Sequence, residues 1–197
     1  MKKIQIYFLL SIFFILNINH AFSLEPDVFV QSVVNRASIV LSKDISKKQK
    51  IDKLKLIAKE TVFIKKVGSY SLGSFRKTLT GEQNIKYFTL FERYFLKSFS
   101  SRLSEWTNPH IDVISEKIIN KNYTIVRSVL KGTNERPEVK IDWRIYTKNP
   151  ENPLIVDVII EGLSLARTQK EEFSSILNSN EGDINALFKT LEEFSKD

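Results

Sequence analysis

The segment VKIDWRIY, Val139 to Tyr146, alternates apolar and polar residues without a break. A period of two puts Val139, Ile141, Trp143 and Ile145 on one face of a β-strand. Lys140, Asp142, Arg144 and Tyr146 then occupy the other. Asn149 to Pro153 turns the chain, and Leu154 to Ile160 forms the next strand. So short a connection makes the two strands antiparallel. Gly162 lies at the exit, and an amphipathic helix from Leu165 to about Asn178 presents Phe173, Ile176 and Leu177. The two strands carry more apolar surface than a half-buried hairpin needs. No catalytic constellation accompanies them, so the pair points to carrying something apolar rather than transforming it.

The segments around this unit are read by the same periodicities. Glu25-Pro26-Asp27 opens a helix, with Pro at its start and acids at its positive end. Val30, Val33, Val34, Ala37 and Leu41 recur along it at helical spacing. A charged second helix from Asp44 to Lys55 carries a narrow stripe of Ile51, Leu54 and, just beyond, Ala58. Thr61 to Phe75, broken by Gly68 and Gly73, reads as short helical turns and loop. Thr80 and Gln83 form a capping-box pattern that opens a helix running to about Arg102 or Glu105. Its stripe is aromatic: Phe88, Phe91, Phe95 and Phe99, with Tyr87, Tyr94 and Leu103 alongside. Such a wall can pack a core or face a ligand, and the spacing fits both.

After the break at Asn108-Pro109, Ile111 to Glu116 and Tyr123 to Leu130 read as strands on either side of an Asn120-Lys121-Asn122 turn. Asp183 caps a final helix bearing Ile184, Leu187, Phe188, Leu191 and Phe194. Helices, a meander, then helices make an α+β fold: a curved antiparallel sheet of about four strands covered by helices.

The ends and the charge bound the setting. Lys2, Lys3, the apolar run Ile4 to Leu16 and Ala21-Phe22-Ser23 read as a signal peptide over residues 1–23. The expected mature domain is therefore a single unit, 24–197, starting at Leu24; an uncleaved anchor is the alternative. There is no Cys. An exported domain of this size without disulfides fits a bacterial periplasm. Loss of Lys2 and Lys3 lowers the formal charge from +7 to +5, a mild basic excess. That excess suits a solvated surface, anionic head groups or an acidic partner, and export argues against nucleic acid.

Little in the chain looks catalytic. Beyond the export segment there is one His, His110, in a loop. With no Cys and no second His, a zinc site of the usual type is not expected. Gly162-Leu163-Ser164-Leu165-Ala166 lacks the second Gly of a nucleophile elbow, and no His follows it. Asp157 and Glu161, four apart on the last strand, are either an acid–base pair or structural acids answered by Arg144, Arg127 or Arg167.

Three blocks resemble the MlaC (toluene-tolerance) family of periplasmic phospholipid-binding proteins. They are LGSFRKTLTGEQNIKYFTLFERYF from Leu72 to Phe95, VKIDWRIY, and VDVIIEGLSLARTQKEEF from Val156 to Phe173. Their order and spacing cover essentially the whole mature chain. The resemblance implies an NTF2-like arrangement, no cofactor, no metal and no catalytic residue. It implies a carrier shuttling phospholipid between an outer-membrane lipoprotein–porin complex and an inner-membrane ABC lipid transporter complex, which maintains outer-membrane lipid asymmetry. The tail-contacting residues expected on this basis are Phe91, Phe95, Phe99, Val126, Ile141, Trp143, Ile145, Val158, Ile160 and Leu163. The rivals are an NTF2-like pocket enzyme using Asp157 or Glu161, and a periplasmic chaperone or adaptor with an open groove.

Overall fold

The structure, a computed structural model, describes residues 23–107, 109–134 and 136–196. Residues 1–22 of the expected signal peptide, and Asn108 of the expected break, lie outside the described residues.

Helix α1 spans Pro26–Ser42 with Pro in its first turn and Asp27 at its positive end, as the Glu25-Pro26-Asp27 pattern predicts. Helix α2 spans Lys47–Thr61, starting later and running further than the charge pattern suggests. Its start is set by a capping box: the Ser46 hydroxyl accepts from the Gln49 N–H, and the Gln49 side chain accepts from the Ser46 N–H. Helix α3, Ile64–Ser71, and a 3₁₀ turn, Gly73–Lys77, follow. Gly73 sits at φ +57, where a side chain would be strained.

Helix α4, Gly81–Leu103, is the long aromatic helix. Its 23 residues make it about 35 Å long. Thr80 caps it as expected, accepting from the Gln83 N–H at 3.2 Å while its own N–H donates to Gln83 Oε1 at 2.9 Å.

The strands form one antiparallel meander, β1 (Ile111–Asn120), β2 (Tyr123–Leu130), β3 (Val139–Tyr146), β4 (Leu154–Ile160) and β5 (Leu163–Ser164), in that spatial order. The expected four strands are present, and β5 adds a two-residue fifth. It forms because Glu161 and Gly162 both take positive φ, 48° and 83°, which reverses the chain in two residues. Pairing irregularities between Val113 and Ser115, and between Arg144 and Ile145, mark where the ladder bends.

Helices α5, Leu165–Asn178, and α6, Ile184–Lys196, close the fold. Asp183 Oδ1 accepts from the Asn185 N–H at 3.0 Å, consistent with its reading as a cap. The core lies between the helices and the inner sheet face, with Val30, Leu54, Tyr87, Phe91, Leu177 and Leu187 among its most buried members. Among the described residues, no helix is long and apolar enough to cross a membrane.

Candidate functional site

The N-terminal half of α4 is packed solid. Tyr87 is fully buried, and its hydroxyl donates to the Gly68 carbonyl at 2.9 Å. Burial pushes that hydroxyl's pKa far up, so it stays a donor at any physiological pH. Phe173 of α5 meets the edges of Tyr87 and Phe91, at centroid distances of 6.5 and 6.1 Å. Phe88, the first residue of the expected aromatic stripe, turns aside beneath the Lys65 ammonium, off the wall of the cavity described next.

Beyond Phe91 the helix runs over a void. Helix α4 packs along α2 and α6, but approaches no strand closely. The space left between α4 and the sheet is a cavity of about 430 Å³. This falls within the range of roughly 300–1,000 Å³ usual for ligand sites. On its helical side Phe91, Phe95 and Phe99 stack in a ladder at i, i+4 spacing, with centroid distances of 6.1 and 5.7 Å. On its sheet side stand Ile141, Trp143, Val158 and Ile160. The cross-strand register explains the grouping: Trp143 pairs with Val158, and Ile141 with Ile160. The Trp143 indole N–H donates to Ser128 Oγ at 2.8 Å, and that hydroxyl donates to the Ile141 carbonyl at 3.1 Å. The ring therefore meets the cavity with its polar atom already satisfied.

Helices contribute more of the wall than the sequence suggested. Val33, Ala37 and Leu41 of α1, and Leu54, Ile57 and Ala58 of α2, also line it. All but Ile57 belong to the helical stripes read from the sequence; nothing in the spacing marks a stripe residue that has empty space opposite it.

Three charged residues line the cavity: Arg102, Asp157 and Glu172. Asp157 is 6% exposed and fully engaged. Its Oδ1 accepts from the Ala166 N–H at 3.0 Å, and its Oδ2 from the Ser164 hydroxyl at 2.7 Å. The same Ser164 Oγ caps the Arg167 N–H at 3.0 Å. Asp157 and Ser164 thus satisfy two free N–H groups at the positive end of α5. Arg144 stands 3.9 Å from the same carboxylate. This is the structural role that the sequence left open beside the acid–base one.

Glu161 does not join Asp157. The sequence reading put both acids on one strand face; the positive-φ turn takes Glu161 out of the strand, where its carboxylate accepts from the Lys140 N–H. His110 is exposed, 3.2 Å from Asp112, and is not on the cavity wall. Among the described residues, no group of three or more His, Cys, Asp or Glu could hold a metal ion.

Polar side chains gather where the gap between α4 and α5 reaches solvent. The Tyr94 hydroxyl donates to Gln169 Oε1 at 2.8 Å, and Gln169 Nε2 donates to Glu172 Oε2 at 2.9 Å. Burial raises the Tyr94 pKa; the Gln169 bond and Arg102 oppose the rise, and Glu172 adds to it. Trp106, 36% exposed, and Leu165, 40% exposed, line the cavity and reach solvent.

Residues 31–193 match the sequence model of the MlaC family, described as MlaC protein. The chain belongs to the MlaC family. A solved structure, a phospholipid-binding protein from Ralstonia solanacearum in complex with a phospholipid, is similar in fold at a TM-score of 0.72 and 20% identity. The match covers 87% of this chain and 97% of that one. The mixed helix–sheet architecture read from the sequence is that of this neighbour.

Of the ten residues expected to contact tails in this MlaC-family chain, seven lie on the cavity wall: Phe91, Phe95, Phe99, Ile141, Trp143, Val158 and Ile160. The other three are placed elsewhere. Val126 and Ile145 are 0% exposed and sealed in the core, where neighbouring side chains rather than the void stand over them. Leu163 is 59% exposed, carried outward by the two-residue turn before it.

Proposed function

We propose that this protein is a periplasmic phospholipid carrier. It binds a lipid by its tails and shuttles it between an outer-membrane lipoprotein–porin complex and an inner-membrane ABC lipid transporter complex, serving outer-membrane lipid asymmetry. It carries out no reaction of its own. The observation that carries this reading is the gap between the Phe91–Phe95–Phe99 ladder and the Ile141, Trp143, Val158 and Ile160 face of the sheet. Its wall is almost wholly apolar, and its one buried carboxylate is spent on the start of α5. Membership of the MlaC family and the phospholipid held by the Ralstonia solanacearum neighbour support the choice of ligand. The export-signal pattern at residues 1–23 supports the compartment.

The energetics suit carriage. Each methylene removed from water is worth about 0.8 kcal/mol, so a tail of roughly 15 methylenes is worth about 12 kcal/mol when fully sheathed. A water-borne carrier must match most of that, which a dry wall of rings and branched side chains can do. Native mass spectrometry of protein purified without detergent tests the reading. The expected result is added mass matching a phospholipid, recovered by organic extraction. A ligand-free mass with no lipid in the extract overturns it.

A further inference from the structure

The cavity has a floor. On α4 its lining starts at Phe91, and Tyr87, one turn behind, is fully buried and off the wall. On α5 the lining ends at Glu172, and the next residue, Phe173, is core. On the sheet it ends at Ile155, while Ile145 and Thr124 of the same row are buried outside the void. Helix α2 runs antiparallel to α4, with Lys59 paired to Glu92 at 3.4 Å and Lys47 to Glu105 at 3.6 Å. Thr61 therefore comes level with Phe91, and Thr61, Val62 and Val67 close the remaining side there. The Thr61 hydroxyl donates to the Ile57 carbonyl at 2.7 Å, so this end offers a ligand no free polar group from it. The Phe91 ring is wedged at this level. Tyr87 stacks on it at 5.7 Å, and Phe173 meets it edge-on at 6.1 Å. Gly68 lies so close that a Cβ there would stand 2.8 Å from Phe91 Cδ1. Backed on three sides, the ring has the void as its free side.

We propose that Phe91 is a length stop, so that the carrier takes phospholipids with tails of about 14 to 16 carbons and discriminates against longer ones. The inference rests on the carrier reading above and adds the acyl-chain class to it. From Phe91 to Leu103, the last residue of α4 and also on the wall, the helix advances about 18 Å. An extended chain of ~1.5 Å bonds at a near-tetrahedral angle advances about 1.25 Å per carbon, so a tail of about 14 carbons fills that length. Trp106 and Leu165 shelter the next few at the mouth. Carbons beyond these have nowhere dry to go, and each one left in water lowers retention by up to about fourfold. The measure is taken on the tails alone and holds whatever head group they carry.

The test holds the head group constant. Delipidated protein is incubated with vesicles of equimolar dimyristoleoyl, dipalmitoleoyl and dieicosenoyl phosphatidylglycerol, whose tails have fourteen, sixteen and twenty carbons. It is then separated from them, and its lipids are extracted and counted by mass spectrometry. The unaltered protein is expected to carry the sixteen-carbon lipid over the twenty-carbon one by at least about tenfold. A cavity without a stop would sheath the extra carbons and carry the two about equally. Phe91→Ala lets the floor fall back one helical turn to Tyr87, a depth of about four carbons, and brings that ratio to within about twofold of one. Gly68→Ala drives the ring into the void and raises the floor, so the fourteen-carbon lipid gains severalfold over the sixteen-carbon one. The two variants move the distribution in opposite directions, which a common loss of stability does not. If Phe91→Ala fails to fold, the Gly68→Ala shift and the unaltered protein's own ratio decide. Equal carriage of the two longer lipids by the unaltered protein overturns the stop and leaves the carrier reading intact. So does a folded Phe91→Ala with an unchanged distribution, or a Gly68→Ala that leaves the ratio of the two shorter lipids unmoved. No lipid of any length on the unaltered protein sinks the carrier reading itself.

Discussion

The inner face of the sheet is packed at one end and hollow at the other, with the same kinds of residue at both. In the row Thr124–Ile145–Ile155 every side chain is buried, and only Ile155 touches the edge of the cavity. Two rows along, Ile141 and Ile160 border empty space. Val126 marks the transition, being sealed in the core while its strand neighbour Trp143 lines the cavity. Local alternation is identical throughout. What differs is the cover, because α4 is pinned through Tyr87 and Phe91 and then stands off the strands. A binding site here is a core from which the opposing layer has been withheld.

The sharpest way to break this comparison is to shorten a side chain at each end. In delipidated protein, Ile145→Ala should cost about 3 kcal/mol in urea unfolding, since it opens a new hole in a filled region. Ile160→Ala should cost only about 1 kcal/mol, since that methyl group already lacks neighbours on one side. Equal losses would mean the hollow end is packed after all. Next in size is Gly68→Ala at the pinned end of α4. The added Cβ would lie 2.8 Å from Phe91 Cδ1, so the ring must move, at about 2 kcal/mol. Thermal unfolding reads this directly, and a neutral outcome would show that the pinned half has slack.

Filling the void tests the other side of the contrast. Val158→Trp adds a ring where the cavity has room, so stability should shift by less than about 1 kcal/mol. Lipid recovered on extraction should fall severalfold, and full retention would place the tails elsewhere. The smallest effect lies away from both ends. Desolvation, then the nearby Asp27 and Glu25, raises the Glu116 pKa. The folded protein therefore holds this proton to a higher pH than the unfolded chain does. The repulsion is absent in acid below the unfolded value and grows as pH rises through the raised one. Glu116→Gln should accordingly stabilise by a few tenths of a kcal/mol at neutral pH, with the gain vanishing near pH 4. A gain that persists in acid would point to a cause other than charge.

The elements were readable because each rests on local chemistry. The Thr80–Gln83 box, the alternation of Val139 to Tyr146, and Pro26 beside Asp27 act within a few residues and need no partner. Ser46 and Gln49 carry the same signal, and it fixes the start of α2 where the density of charge misplaces it. The inward face of each strand was equally legible, and Ile141, Trp143, Val158 and Ile160 follow from it. Which inward residues meet a void was not, because that depends on where a helix distant in sequence comes to rest. Val126 and Ile145 obey the same alternation as Trp143 and differ only in their cover. Leu163 was misjudged for a different reason: two positive-φ residues reverse the chain just before it, and the apolar run conceals the reversal.

The seam between α4 and α5 has a kinetic consequence. Phe173 wedges it shut as far as Tyr94, and beyond that point the Tyr94–Gln169 hydrogen bond is the stitch that spans it. Undoing one such bond costs about 1 kcal/mol net. A tail leaving for water forfeits about ten times that. For a carrier built this way, prising the wall apart is not the slow event; wetting the tail is. Residence time should therefore lengthen steeply with each carbon in the tail and hardly respond to how firmly the flap is tied. A receiving protein would speed hand-over chiefly by offering a dry path.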